Sequence, residues 1–207
     1  MPVLNREVPV YVRANGIREI EAAVDWAKRE NVRMVLMGGA DAWRVSDLLA
    51  ANDIPVIITD IHRTPERRWE DYDDPFTLPM KLEKAGVSFC IATGGGGFGT
   101  AHIRNLPYHA AMAAAYGLPK EDALRSITLS AAEIMGVADR VGSLEVGKDA
   151  TLIVTNGDPL EITTNVEMEF IEGRQIDLES RHTELYKKYQ AKYEQLSDER
   201  SDRTAGK

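Results

Sequence analysis

The sequence predicts an α/β protein: four βα units forming a parallel sheet, then a small β element, then a terminal helix. Two changes of rhythm carry this prediction. Short β-branched runs alternate with amphipathic stretches through the first two thirds of the chain, and the apolar period then switches to two before returning to helical spacing near the end.

The elements follow in order. VPVYVRA (8–14) is a β-branched run, and GIREIEAAVDWAKREN (16–31) places Ile17, Ile20, Ala23, Val24 and Ala27 at helical spacing. VRMVLMGG (32–39) reads as a second, buried strand, WRVSDLLAAND (43–53) as a second helix and IPVIITDI (54–61) as a third strand. A polar segment leads into TLPMKLEKAG, a third helix with Gly86 placed to cap it, and VSFCIATG (87–94) is the fourth strand. LPYHAAMAAAYG and PKEDALRSITLSAAEIMG are helical, with Pro119 suited to open the second. Four such units in succession imply right-handed crossovers.

Beyond residue 140 the pattern changes. SLEVGKDATLIVTNG (143–157) has the shape of a hairpin turning at Gly147, Lys148 and Asp149, and NVEMEFIEGRQI (165–176) alternates as one half-exposed strand should. The expected boundaries are an α/β unit at 1–140, a β segment at 141–176, a helix at 177–198 and a disordered tail at 199–207. Leu178, Leu185, Tyr189, Tyr193 and Leu196 line one side of the terminal helix, which is expected to pack along its own domain, with a coiled-coil seam as the alternative.

Composition sets the range of partners. With 25 basic and 33 acidic residues the formal charge is -8, which argues against a general affinity for nucleic acid or an anionic membrane. Small molecules or other proteins are the expected partners. No basic N-terminal region precedes a long apolar stretch, and no eighteen-residue apolar run occurs, so a soluble chain without a secretion signal is expected. Cys90 is the single cysteine; its apolar context predicts a buried structural thiol. Glu70, Asp71, Asp73 and Asp74 lack the spacing and central glycine of an EF-hand and read as a solvated loop, while Trp26, Trp43 and Trp69 are too dispersed to reveal a ligand cage.

The apolar run SFCIATG opens into GGGFGTAHIR. This lacks the Lys followed by Ser or Thr of a P-loop and the acidic residue expected some twenty positions on in a dinucleotide fold. It reads as a flexible or closely packed loop first, and as an anion-accepting backbone nest second, with Arg104 able to add charge.

ITLSAAEIMGVADRVGSLEVGKDATLIVTNGDPLEITTNVEMEFIEGR (127–174) resembles the closing segment of the amidohydrolase superfamily, particularly its imidazolonepropionase-like and dipeptidase-like branches. The resemblance extends to the βα units before it. It implies that they are the second half of a (β/α)8 TIM-type barrel, strands five to eight, followed by the small β element, with the front half absent. It also implies metal-assisted hydrolysis of a non-peptide or cyclic amide carbon–nitrogen bond, with a divalent ion, zinc foremost, at the carboxyl ends of the strands. The ligands so implied are a histidine ending strand five, a histidine ending strand six and an aspartate ending strand eight, the last also the general base. At those places this sequence has Arg13, Gly38 with Gly39, and Gly94. A guanidinium has no lone pair to give a metal.

Substitute ligands are available in Asp60 and His62, after the third strand, and His102, after the fourth: two imidazoles and a carboxylate, a set that suits zinc. Against that, His62 opens a charged loop and His102 precedes a helix, where it caps or packs; His109 reads as a packed helix residue and His182 lies far away on the terminal helix. Arg13 and Arg104 are the substrate-binding candidates. Two functions are therefore expected: the C-terminal portion of a carbon–nitrogen hydrolase, or a noncatalytic amidohydrolase-like binding or assembly module. Under either, a four-stranded half barrel has two open edges, which calls for a homo-oligomer or the missing N-terminal half.

Overall fold

The computed structural model describes residues 1–205, apart from the side chains of Phe98 and of 198–205. Four parallel strands form one sheet in sequence order: β1 (Val10–Ala14), β2 (Met34–Gly38), β3 (Val56–Thr59) and β4 (Phe89–Ala92). The connecting helices are α1 (Ile17–Arg29), α2 (Ser46–Ala50, preceded by a 3₁₀ turn at Ala42–Val45) and α3 (Asp74–Lys84). After β4 come α4 (Gly97–Ala101), a 3₁₀ turn at Ile103–Asn105, α5 (Leu106–Ala115), α6 (Lys120–Ser126) and α7 (Leu129–Met135). No helix among the described residues is long and apolar enough to cross a membrane.

The period-2 alternation of the strands divides the apolar residues between two faces. Met34, Leu36, Val56, Ile58, Phe89 and Ile91 join Ile20, Val24, Leu49, Leu78, Leu82 and Ala110 in the main core, under the helices. Val35, Ile57 and Cys90 point to the opposite face, where they pack with Met37, Ala92 and the α7 residues Ala131 and Ile134. The Tyr11 hydroxyl donates to Met135 Sδ at 3.4 Å, so α7 lies across the middle of the face that would line a closed barrel. Cys90 is 4% exposed, and burial pushes its thiol up to about 11.

Helix ends follow their sequence signals. Glu83 and Leu82 carbonyls accept from the amides of Gly86 and Val87, the double bond of a Schellman motif with Gly86 at φ +70°. The stretch after Pro119 is two helices rather than one. At the break the Thr128 hydroxyl donates to the Leu124 carbonyl at 2.8 Å and its backbone leaves the helical region (φ −127°, ψ −95°).

Three expectations for the C-terminal third change. Residues 143–149 form turns instead of the first arm of a hairpin. Gly142 (φ +97°) folds the chain against α7 so closely that a Cβ there would lie 2.7 Å from Ala132 Cβ, and Asp149 N–H reaches back to the Arg140 carbonyl at 2.7 Å. The hairpin lies instead within 165–176: β6 (Val166–Ile171) and β7 (Arg174–Ile176) pair antiparallel, with β5 (Leu152–Thr155) on the other side of β6. Glu172 and Gly173 make its two-residue turn, both at positive φ as a type I′ turn requires. Finally, α8 spans Arg181–Ala205, and none of its residues from 181 to 197 is buried. Its apolar side, Leu185, Tyr189, Tyr193 and Leu196, is too narrow and too rich in hydroxyls to anchor it to the domain. The helix enters the 199–207 segment expected to be disordered because no glycine or proline interrupts it before Gly206; residues 206 and 207 lie outside the described residues.

Candidate functional site

All four parallel strands point their carboxyl ends to one rim, where the loops after β1, β2, β3 and β4 meet. Arg13 stands near the end of β1, exposed and with no ion pair among the described residues; its Nη2 lies 4.0 Å from where a Cβ of Gly95 would be. Gly38 ends β2 at φ +99°, and a Cβ there would run into Asn15 Oδ1 and lie 3.2 Å from the Ala14 carbonyl. Gly94 follows β4 and is buried; a Cβ there would land on the Asp60 carboxylate, 2.5 Å from its Cγ. Asp60 itself stands just beyond β3 in the left-handed region (φ +57°), and its Oδ1 accepts the Gly94 N–H at 2.9 Å. A non-glycine residue holds that conformation only where its surroundings fix it.

The histidines sort differently from the sequence expectation. His62 meets His109 rather than His102: the two rings stack with centroids 4.3 Å apart and 27° between planes. His109, on α5, is 7% exposed and its Nδ1 meets no partner among the described residues. Burial lowers both imidazoles; the second ring lowers His109 further, and nearby Asp60 raises it only in part. Both rings are therefore neutral near pH 7. His102 caps the end of α4, exposed, and Arg104 lies exposed in the following 3₁₀ turn. The glycine run is closely packed at one point, where Gly99 sits directly against the Gly94 carbonyl, and is open at Gly96 and Gly97.

A cavity of about 240 Å³ opens beside Asp60 and His62, with Asn15, Gly38, Arg63 and Leu78 also in its wall. The loop 61–73 that bounds it is mostly exposed, as expected of a solvated loop, Asp71 included, but it is fastened down at Arg63, Arg67 and Glu70. Asp41, 4% exposed, accepts from Arg67 at 2.7 Å, and Arg63 pairs with Glu70 at 3.3 Å. Burial alone would raise the Glu70 carboxyl, but the Glu66 N–H and Arg63 outweigh it and hold it low. Arg44 lies over both Trp43 (4.3 Å) and Trp69 (4.7 Å), which joins two dispersed tryptophans across the same loop. Asp74 is also buried, paired with Lys81 at 2.9 Å.

The donors at this rim do not fit a divalent ion. Among the described residues no three of His, Cys, Asp and Glu gather where an ion could be held, and the two rings that do meet are stacked instead of converging. Asp60, His62 and His102 are thus not brought together as a ligand set.

A model of the amidohydrolase family matches residues 70–176, about half of the chain. Amidohydrolase tasK of Hapsidospora irregularis is 36% identical over 58 residues, which is 28% of this chain and 6% of that protein. An amidohydrolase from Thermotoga maritima superposes with a TM-score of 0.75 at 29% identity, covering 85% of this chain and 45% of that one. An adenosine deaminase from Xanthomonas campestris, solved with bound zinc, shares the fold with a TM-score of 0.57 at 18% identity, over 93% of this chain and 52% of that one. The chain therefore spans about half the length of these solved structures, and its sheet corresponds to part of a TIM-type barrel. The chain belongs to the amidohydrolase family.

Proposed function

We propose that this chain is a noncatalytic amidohydrolase-like module, the C-terminal half of a barrel, that serves binding or assembly instead of hydrolysing a carbon–nitrogen bond. One observation carries the reading. At the strand ends where the family resemblance puts two histidines and an aspartate, the chain presents a guanidinium at Arg13 and side-chain spaces at Gly38 and Gly94 already filled by Asn15 and Asp60. A guanidinium stays protonated and binds anions rather than cations, so Arg13 serves a ligand carboxylate or phosphate better than a metal.

The open edges support assembly. Among the described residues β1 and β4 each have a strand neighbour on one side only, and a half barrel closes when both edges find partners, in a second copy or in the rest of a barrel such as the solved relatives, about twice as long, carry in one chain.

The test is metal content and turnover on the same sample. The full chain is incubated with zinc and with manganese, desalted, assayed for bound metal by mass spectrometry, and offered linear and cyclic amides. Metal well below one ion per chain and no hydrolysis above buffer are expected. Near-stoichiometric zinc with turnover that disappears in Asp60→Ala and His62→Ala would overturn the reading.

A further inference from the structure

We propose that Asn15 and Asp60 occupy the side-chain places of residues 38 and 94, so that glycine is enforced at both and no side chain returns to position 94 while Asp60 stands. The proposal deepens the noncatalytic reading by naming the residues that close the strand ends, and its packing argument rests on that reading only for the meaning of the two positions.

At Gly94 the three atoms nearest to an added Cβ all belong to the Asp60 carboxylate. That carboxylate is no loose end. It accepts the Gly94 N–H at 2.9 Å, so turning it aside gives up that hydrogen bond, and the Asp60 backbone that carries it sits in the left-handed region. The Gly94 φ lies outside that region, so the nearest obstacle there is the Asp60 carboxylate and not the backbone conformation. An aspartate at 94 would in addition set two carboxylates in one place, which disfavours ionising both. Gly38 is blocked twice over: by Asn15, whose Oδ1 also accepts the Ala40 N–H at 3.4 Å, and by its own φ of +99°. The decisive experiment is therefore made at Gly94.

Asp60 thus fills, from the end of β3, the side-chain space at the end of the neighbouring β4. Melting temperatures of Asp60→Ala, Gly94→Ala and the double variant test this as a cycle. Gly94→Ala is expected to lower Tm by about 5 °C or more in the natural background, as overpacking of a buried site does. In the Asp60→Ala background the same substitution is expected to lower it by about 1 °C or less. Gly94→Asp follows the same rule, tolerated only where Asp60 is absent. An equal loss in both backgrounds, or a loss in neither, overturns the proposal. Should Gly94→Ala fail to fold, the double variant decides by its circular dichroism: a folded chain supports the proposal and an unfolded one overturns it. Zinc-dependent turnover by the natural chain would sink the noncatalytic reading and leave this cycle untouched, whereas a failed cycle leaves that reading standing.

Discussion

His109 is a polar ring in an apolar helix face, 7% exposed, with one nitrogen that meets no partner among the described residues and a second imidazole stacked on it. Protonating it would bury a charge, and this gives the fold a pH dependence of definite sign. Its folded pKa lies below the ordinary imidazole value, chiefly through burial, so the unfolded chain takes up the proton first. Stability from the neutral ring is complete above the ordinary histidine range near pH 6.5 and is lost as pH falls below it towards the depressed value. We expect Tm to fall more steeply from pH 7 to pH 5 in the natural chain than in His109→Phe, which keeps a flat ring but takes no proton. Parallel curves would remove the effect. At this scale the sequence was partly legible. The apolar setting of His109 in PYHAAMAAA marked it as packed, and FCIAT marked Cys90 as buried, but no local signal told that His62 would stack on the first or that Asp60 would fill the space at Gly94. Those meetings join residues 47 and 34 positions apart and depend on where two strands end.

The loop between β3 and α3 shows the same limit for a whole element. Its charge run, HRTPERRWEDYDD, has the composition of a solvated segment, and what fastens it lies elsewhere in the chain: Asp41 and Arg44, just after β2. Arg67 is the link. Removing it leaves the Asp41 carboxylate buried with only Arg44, at 3.9 Å, for a partner. Arg67→Ala is therefore expected to cost about 2–3 kcal/mol in urea denaturation, the cost of a buried carboxylate stripped of its better cation. Limited proteolysis should then cut first between 63 and 70. An unchanged midpoint and cleavage pattern would show that the Arg63–Glu70 pair and Arg44 over Trp69 hold the loop without Arg67. The strands and the larger helices were legible because each carries its own period and its own breakers, as Gly86 and Pro119 show. The hairpin of 165–176 was missed because its turn, Glu172 followed by Gly173, interrupts the alternation only briefly, while the stronger turn composition at 147–149 drew the prediction there.

For the whole molecule the unresolved demand is the two sheet edges. α7 covers the centre of the inner face through Ala131 and Ile134, which protects Val35, Ile57 and Cys90, but it offers no strand to β1. The Val10 N–H is taken by the Arg33 carbonyl of the β2 side. In a parallel ladder the next amide points the other way, so the Tyr11 and Arg13 amides face the open edge. A two-fold pair of half barrels would set β1 of each copy beside β4 of the other, all strands parallel, and would satisfy both edges once α7 moves off the inner face, because an eight-stranded barrel has room inside only for side chains. We therefore expect light scattering to give a particle of twice the 23.0 kDa chain mass. Tyr11→Pro should return the monomer with its helical circular dichroism intact, because proline removes an edge-facing donor and leaves the β2 ladder whole. A natural chain that stays monomeric at about 100 μM would rule out self-closure and leave the edges to a different chain or segment, as the Thermotoga maritima relative, of which this chain covers 45%, carries more in its own chain. A dimer unaffected by Tyr11→Pro would move the contact away from β1, to the exposed tyrosines of α8.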